Sequence, residues 1–204
     1  MLMSRTFLEA VALRRSYYRL GSNAVTDDNH IVTTIDKLLA TMPSPFNVQS
    51  TRIVMLFGEE HRALWNIVVE VLRDFVVPDK FAATEKRVDD AFRSGRGTLL
   101  FYEDSSTLEA LKRKYPLYAD KVDVWSEQCS GMHQFAAWTA LEDMGYGASL
   151  QHYNPLIDEK VVHRWEIDSK WRLVAQMPFG KPMDAPSSRV QTSPPAERMR
   201  VIGL

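Results

Sequence analysis

The sequence has a single cysteine, Cys129, which excludes an intramolecular disulfide. It has no Asn-X-Ser/Thr sequon and no run near the roughly 18 apolar residues a membrane helix needs. It also lacks an excess of either charge. Lys and Arg number 25 against 26 Asp and Glu, for a net −1. No global field therefore draws the chain to nucleic acid or an anionic membrane, although a local basic cluster can still hold one phosphate. The first residues do not read as a signal peptide, because Glu9 interrupts Phe7–Leu13 and Arg14 and Arg15 follow at once. A cytoplasmic location is the expectation.

The familiar catalytic motifs are missing as well: no HExxH, no paired-cysteine metal spacing, no Walker loop and no GxSxG. His30, His61, His133, His152 and His163 stand too far apart for ligand spacing, so no metal is expected. Cys129 falls inside a helical pattern, where a packed, inert thiol is the expectation. Gly145-Tyr-Gly147 lacks the third glycine and the preceding strand of a dinucleotide fingerprint.

What is present is an ordinary globular composition, 45% hydrophobic and 25% charged over 204 residues. Ser4 can cap a helix to about Arg15 that puts Phe7, Leu8, Val11 and Ala12 on one face. Thr26, Asp27 and Asp28 open a second helix, with Ile31, Ile35, Leu38 and Leu39 as its apolar stripe, and it must stop before Pro43. Arg52–Phe57 reads as a strand ended by Gly58. Glu59–Val77 is an amphipathic helix broken by Pro78, and a polar helical stretch follows to about Arg93. Thr98–Glu103 is a second strand, after which Asp104 or Ser105 caps a short helix to Lys114. Asp123–Met144 is the longest periodic segment, with Phe135, Trp138, Thr139 and Leu141 as packing positions and Gly145 as its stop. Asp158–Trp165 is a small helix and Trp171–Phe179 a third strand. Residues 182–198 hold four prolines and three serines and read as an extended arm. The arm ends in Met199–Ile202, a strand-like tip that must join a sheet somewhere, including one in another subunit. One mixed α+β domain spanning residues 1–204, with 182–204 as its arm, is the reading.

Three segments could carry chemistry. Arg14-Arg15-Ser16, followed by Tyr18, offers the fork-shaped donors a phosphate monoester wants; basic residues equally complement a helix C-terminus. Pro43-Ser44-Pro45-Phe46-Asn47-Val48-Gln49 is a stiff loop whose amides suit a heteroaromatic edge, though they also suit loop capping. Gly147-Ala148-Ser149-Leu150-Gln151 and the following His152-Tyr153-Asn154-Pro155 let backbone approach a flat ligand, or form a packed polar turn.

Together and in this order, LEAVALRRSYYRL at 8–20, PSPFNVQS at 43–50, WSEQCSGMHQFAAWTALEDMGYGASLQHYNP at 125–155 and AQMPFGKP at 175–182 resemble the nitroreductase family of flavoproteins. The likeness is to its short branch, similar to the fungal fatty acid repression mutant nitroreductases and their bacterial relatives. The resemblance implies an α+β fold with a mixed, mainly antiparallel sheet flanked by helices. It also implies a homodimer that swaps its C-terminal strand and holds FMN at the dimer interface. It places Arg14, Arg15 and Ser16 on the phosphate and ribityl, with Tyr18 as a further contact. Ser44, Phe46, Asn47 and Gln49 line the flavin, partly from the partner subunit. Gly147, Ala148, Ser149, Leu150 and Gln151 pass its reactive edge. Arg189 completes the phosphate site, where the family commonly has Glu-Lys in place of Ser188-Arg189. No side chain is assigned as acid or base, since the flavin carries the chemistry. The implied activity is ping-pong transfer from NADH or NADPH to small-molecule acceptors, nitroaromatics or quinones. The alternative is a flavin-binding regulatory protein in redox or lipid signalling.

Overall fold

A computed structural model of the chain describes residues 5–190 and 192–203. The elements run α1 (Phe7–Leu13), β1 (Leu20–Gly21), α2 (Asp28–Thr41), β2 (Thr51–Phe57), α3 (Gly58–Leu72), α4 (Pro78–Val88) and β3 (Gly97–Asp104). There follow α5 (Ser105–Lys114), α6 (Val122–Asp143), β4 (Gly147–Ala148), α7 (Asp158–Trp165), β5 (Trp171–Pro182) and α8 (Pro195–Arg198). Among these residues the strands form one sheet in the order β1-β5-β3-β2, with β4 also on β5. Every strand pair is antiparallel. This is the α+β architecture expected, a largely antiparallel sheet between helices. No helix among the described residues is long and apolar enough to cross a membrane.

Side-chain alternation along β3 builds a core on each face of the sheet. Leu100 and Tyr102 point into a cluster with Leu64, Trp65, Val68, Phe92 and Val161 from α3, α7 and the turn after α4. Leu99 and Phe101 point the other way, against Ile31 and Ile35 of α2 and Ala137 and Leu141 of α6.

Several boundaries depart from expectation for identifiable reasons. The expected cap Ser4 lies outside the described residues; Thr6 caps α1, in a capping box with Glu9. The helix ends at Leu13 rather than Arg15, because the chain turns extended at Arg14 and Ser16 bridges to Ala148. Helix α3 stops at Leu72, where Asp74 and Phe75 bond back three residues and tighten the exit before Pro78. Residues Asp89–Arg93 form a π-helical turn after α4. On α6, Leu141 and Thr139 are buried as packing positions, but Phe135, one turn before Thr139, is 40% exposed. The two-residue strands β1 and β4 are too short to carry a periodic signal, so no sequence pattern announces them. The arm is not wholly extended, since Pro195–Arg198 is a helical turn. Met199–Ile202 is strand-like at Met199 but lies outside the sheet, with Met199 67% and Ile202 82% exposed.

Candidate functional site

Helix α1 delivers Arg14 and Arg15 at its C-terminus, and the chain then runs beside β4. Ser16 forms a parallel bridge with Ala148, and the Tyr17 N–H donates to the Ala148 carbonyl at 3.0 Å. Gly147 is required here, because a Cβ at that position would lie 2.7 Å from the Tyr17 ring. Two candidate segments far apart in sequence therefore share one edge.

The base of the arm closes the same corner. The Arg189 guanidinium donates to the Ala12 carbonyl at 3.0 Å and to the Arg14 carbonyl at 3.3 Å, and Arg15 donates to the Ser187 carbonyl. Arg14 lies over the Trp138 ring at 4.2 Å. Arg14, Arg15, Ser16, Tyr18 and Arg189 line one open cleft of about 460 Å³. None of its three guanidiniums pairs with a carboxylate within the described residues, whereas Arg5, Arg19 and Arg96 nearby each do. Burial holds the Arg14 side chain below its ordinary range, and the Arg189 and Arg15 charges push it further. Convergent, unneutralised cations around a hydroxyl are the donor set for a phosphate.

The 147–151 run continues along β5. The Ser149 N–H donates to the Pro178 carbonyl and the Gln151 N–H to the Gln176 carbonyl, at 3.3 and 2.8 Å. Leu150, between them, must turn its own N–H to the opposite side. Gln151 Nε2 is bonded to Ser149 Oγ at 3.1 Å.

The third candidate segment lies elsewhere. Phe46, Asn47 and Gln49 all have positive φ, at 50°, 54° and 50°. Non-glycine residues held there cost roughly 1–3 kcal/mol each, and such strain clusters at functional sites. The conformation is over-determined. Ser44 Oγ accepts from the Gln49 N–H at 2.9 Å, Gln49 Nε2 reaches Asn47 Oδ1 at 3.3 Å, and Phe46 stacks on Tyr115 at 4.3 Å. Phe46 also borders Trp125 at 6.1 Å, and Cys129 Sγ donates to the Pro43 carbonyl at 3.4 Å. Cys129 itself is 1% exposed, and burial pushes its thiol up. The loop thus sits on the first turns of α6. The Arg14 cluster sits at Trp138, nine residues and about 14 Å further along. The two are thus anchored to different turns of α6.

Behind the loop is Glu103, which sequence reasoning missed. Its carboxylate is fully buried and accepts from Ser50 Oγ at 2.6 Å, Thr51 Oγ1 at 2.7 Å and Ser126 Oγ at 2.8 Å. It ties the end of the loop to β3 and α6. Its partners come from two distant segments, so no local pattern could have announced it.

Comparison with known proteins bears on the family and the fold. Residues 11–181 match the model of the nitroreductase family. The chain is 33% identical over 189 residues to HBN1 of Saccharomyces cerevisiae, spanning 90% of this chain and 92% of that protein. Nitroreductase CinD from Lactococcus lactis, solved in complex with chloramphenicol, has a TM-score of 0.88 at 35% identity, over 97% of this chain and 100% of that one. A Desulfovibrio desulfuricans structure solved in complex with FMN shares the fold at a TM-score of 0.69 and 19% identity, over 98% of each chain. With the match reaching from α1 through the strained loop and β4 to the end of β5, the chain belongs to the nitroreductase family.

Proposed function

We propose that this oxidoreductase is FMN-dependent and moves electrons from NADH or NADPH to nitroaromatics or quinones. The observation that carries the reading is the cleft of Arg14, Arg15 and Arg189 around Ser16, three guanidiniums without a carboxylate among the described residues. When bound there, FMN would supply the redox chemistry, accepting a hydride from the nucleotide and returning electrons to the acceptor. The bound FMN of the Desulfovibrio neighbour supports the choice of flavin.

The chain's own residues then have defined tasks. Arg14, Arg15 and Arg189 hold the phosphate, with Ser16 and Tyr18 beside it. The Leu150 N–H, turned away from β5, is a donor for the ring edge that passes Gly147–Gln151. Asn47 and Gln49 present amides able to donate or accept, on a loop whose strain keeps them in place. No protein acid or base is assigned.

The separation of loop and cleft supports a homodimer in which each site takes its loop from the other copy. One face of α6 packs inward through Val122, Cys129, His133 and Ala137, while the opposite face exposes Val124, Met132 and Phe135. A helix apolar on both faces belongs inside a larger assembly. Phe7 and Leu8 of α1, 68% and 74% exposed, and the extended Met199 tip add to that surface. The arm is the segment to be exchanged.

The test is the visible spectrum of purified protein, followed by anaerobic NADH and NADPH. Flavin bands that bleach with either nucleotide and return with a nitroaromatic or quinone establish the activity. Bands that persist with both nucleotides favour the regulatory alternative, and a colourless protein that FMN cannot reconstitute overturns the reading.

A further inference from the structure

The strained loop 46–49 runs through Ser50 into β2, and the end of β3 lies beside that junction, with Thr51 opposite Glu103. The last two residues of β3 are both acidic, Glu103 and Asp104. Strand alternation sends their side chains to opposite faces of the sheet. Glu103 takes the hydroxyls of Ser50, Thr51 and Ser126 on the α6 side. Asp104 acts on the other side, through Arg52. Arg52 Nη2 donates to Asp104 Oδ2 at 2.8 Å, while Arg52 Nη1 donates to the Gln49 carbonyl at 2.7 Å and the Thr51 carbonyl at 3.1 Å.

Asp104 is a rigid support for that guanidinium because it is the N-cap of α5. Its Oδ1 accepts from the Ser106 and Thr107 N–H groups at 3.0 and 3.2 Å, and its Oδ2 accepts from Thr107 Oγ1 at 2.9 Å. Burial opposes the Asp104 charge, but the Ser106 and Thr107 bonds and the Arg52 charge outweigh it and hold the carboxyl down to about 2. The Asp104 N–H also donates to the Ser50 carbonyl at 2.9 Å. A line of bonds therefore runs from α5 through Asp104 and Arg52 to Gln49.

Gln49, where the line ends, has a φ of 50°. Such a conformation persists in a residue with a Cβ only where its surroundings over-determine it. The Gln49 N–H is held from within the loop, by Ser44 Oγ. Its carbonyl is held from outside the loop, by a side chain of β2. Ser44 moves with the loop, whereas Arg52 refers it to the sheet. We infer that Arg52 is a positioning residue: braced on Asp104, it holds the Gln49 carbonyl and keeps the loop in the shape that presents the Asn47 and Gln49 amides. Its consequence for the cofactor rests on the proposal that those amides line a flavin. A loop left in the binding shape about one tenth of the time would bind FMN about tenfold more weakly.

The test is amide hydrogen exchange, FMN titration and urea unfolding of the full chain carrying Arg52→Met or Arg52→Lys. Arg52→Met removes every donor and keeps an unbranched stem, while Asp104 retains its bonds from α5. Exchange at the Asn47, Val48 and Gln49 amides of the flavin-free chain should quicken by about tenfold. Leu100, in the middle of β3, should exchange as before, and the urea midpoint should stay close to the parent's. FMN binding should weaken by about tenfold. Arg52→Lys, which keeps the charge and can still donate, should recover most of both losses. Unchanged exchange in Arg52→Met overturns the inference, whether or not the chain binds FMN. Faster exchange with FMN affinity intact overturns it too, because the loop would then be held without serving the cofactor. A fall in the urea midpoint that accounts for the lost affinity, and that Lys does not relieve, would mark Arg52 as a residue of the fold alone. A parent chain that takes up no FMN fails the flavin reading separately, and exchange still decides whether Arg52 holds the loop.

Discussion

On the α3 side of the sheet, Leu64, Trp65, Val68 and Phe92 are each at most 1% exposed. The Thr98 hydroxyl there accepts from Trp65 Nε1 at 3.0 Å and meets His61 Nδ1 at 2.8 Å. On the α6 side the inner layer is as well buried, but the outer surface leaves Val124, Met132 and Phe135 in water, with Phe7 and Leu8 of α1. Buried apolar area stabilises at about 25 cal/mol per Å², so the first face draws its stability from one chain and the second has apolar surface still to cover. The candidate flavin residues, the strained loop and the unpaired arginines all belong to the second. The closed core and the proposed flavin residues thus lie on opposite sides of one sheet, and each can be perturbed alone.

The largest effect should come from the closed side through pH. Burial holds the His61 imidazole down near 4, outweighing the carbonyl of Arg93 that its Nε2 approaches at 3.2 Å. With its ordinary value of 6.5 in the unfolded chain, the ring is neutral in both states above pH 6.5 and this source of stability is intact. As pH falls from 6.5 toward 4, the unfolded chain takes up a proton that the native one refuses. The resulting loss is about 3 kcal/mol, at about 1.36 kcal/mol per pH unit. Urea unfolding of the flavin-free protein at about pH 7 and about pH 4.5 should show most of that loss. His61→Gln, less stable near neutral pH, should show a slope flatter by about 2–3 kcal/mol over the same interval. Equal slopes would mean that the imidazole is not held neutral.

Both sides are legible in sequence where the signal is local, α6 to within a residue at each end, whereas α3 stops five residues before its expected end at Val77. Helix α7 can be read with its boundaries, and β2 and β3 to within about a residue, because alternation and capping residues are local signals. What cannot be read arises from pairing at a distance. Strand β4 exists because Gly147 and Ala148 find Gly180 and Phe179, and α1 is cut short because Ser16 finds Ala148. Phe135 reads as a packing position because an apolar period marks a buried face without saying which chain buries it. The positive φ values at Phe46, Asn47 and Gln49 contradict local preference, and such contradictions concentrate where function overrides it.

A smaller effect tests the open side. Arg14→Ala removes one charge-assisted contact worth about 1.5–3 kcal/mol, so FMN affinity should fall roughly tenfold to a hundredfold. The flavin-free chain should change by no more than about 1 kcal/mol, since the cation–π contact with Trp138 is offset by relief of repulsion from Arg15 and Arg189. Flavin fluorescence titration and urea unfolding of the same preparation separate the two quantities. A large loss of stability with FMN affinity intact would place Arg14 on the wrong side of the comparison.

The smallest effect on the folded chain should come from Phe135→Asp. The side chain is 40% exposed, and substitutions at such positions usually move stability by no more than about 0.5 kcal/mol. A carboxylate on the Val124–Met132–Phe135 stripe is nevertheless incompatible with an apolar contact between two copies. Burying it unpaired costs several kcal/mol, which disfavours association far more than folding. Sedimentation should therefore show a shift from two chains to one, with circular dichroism preserved. Flavin should be lost in the same variant, because on the proposed reading each site takes its loop from the other copy. A Phe135→Asp chain that still sediments as a dimer would remove α6 from the interface. One that is monomeric yet keeps FMN would show that a single chain holds the cofactor with the cleft alone, and the exposed stripe would then need another partner.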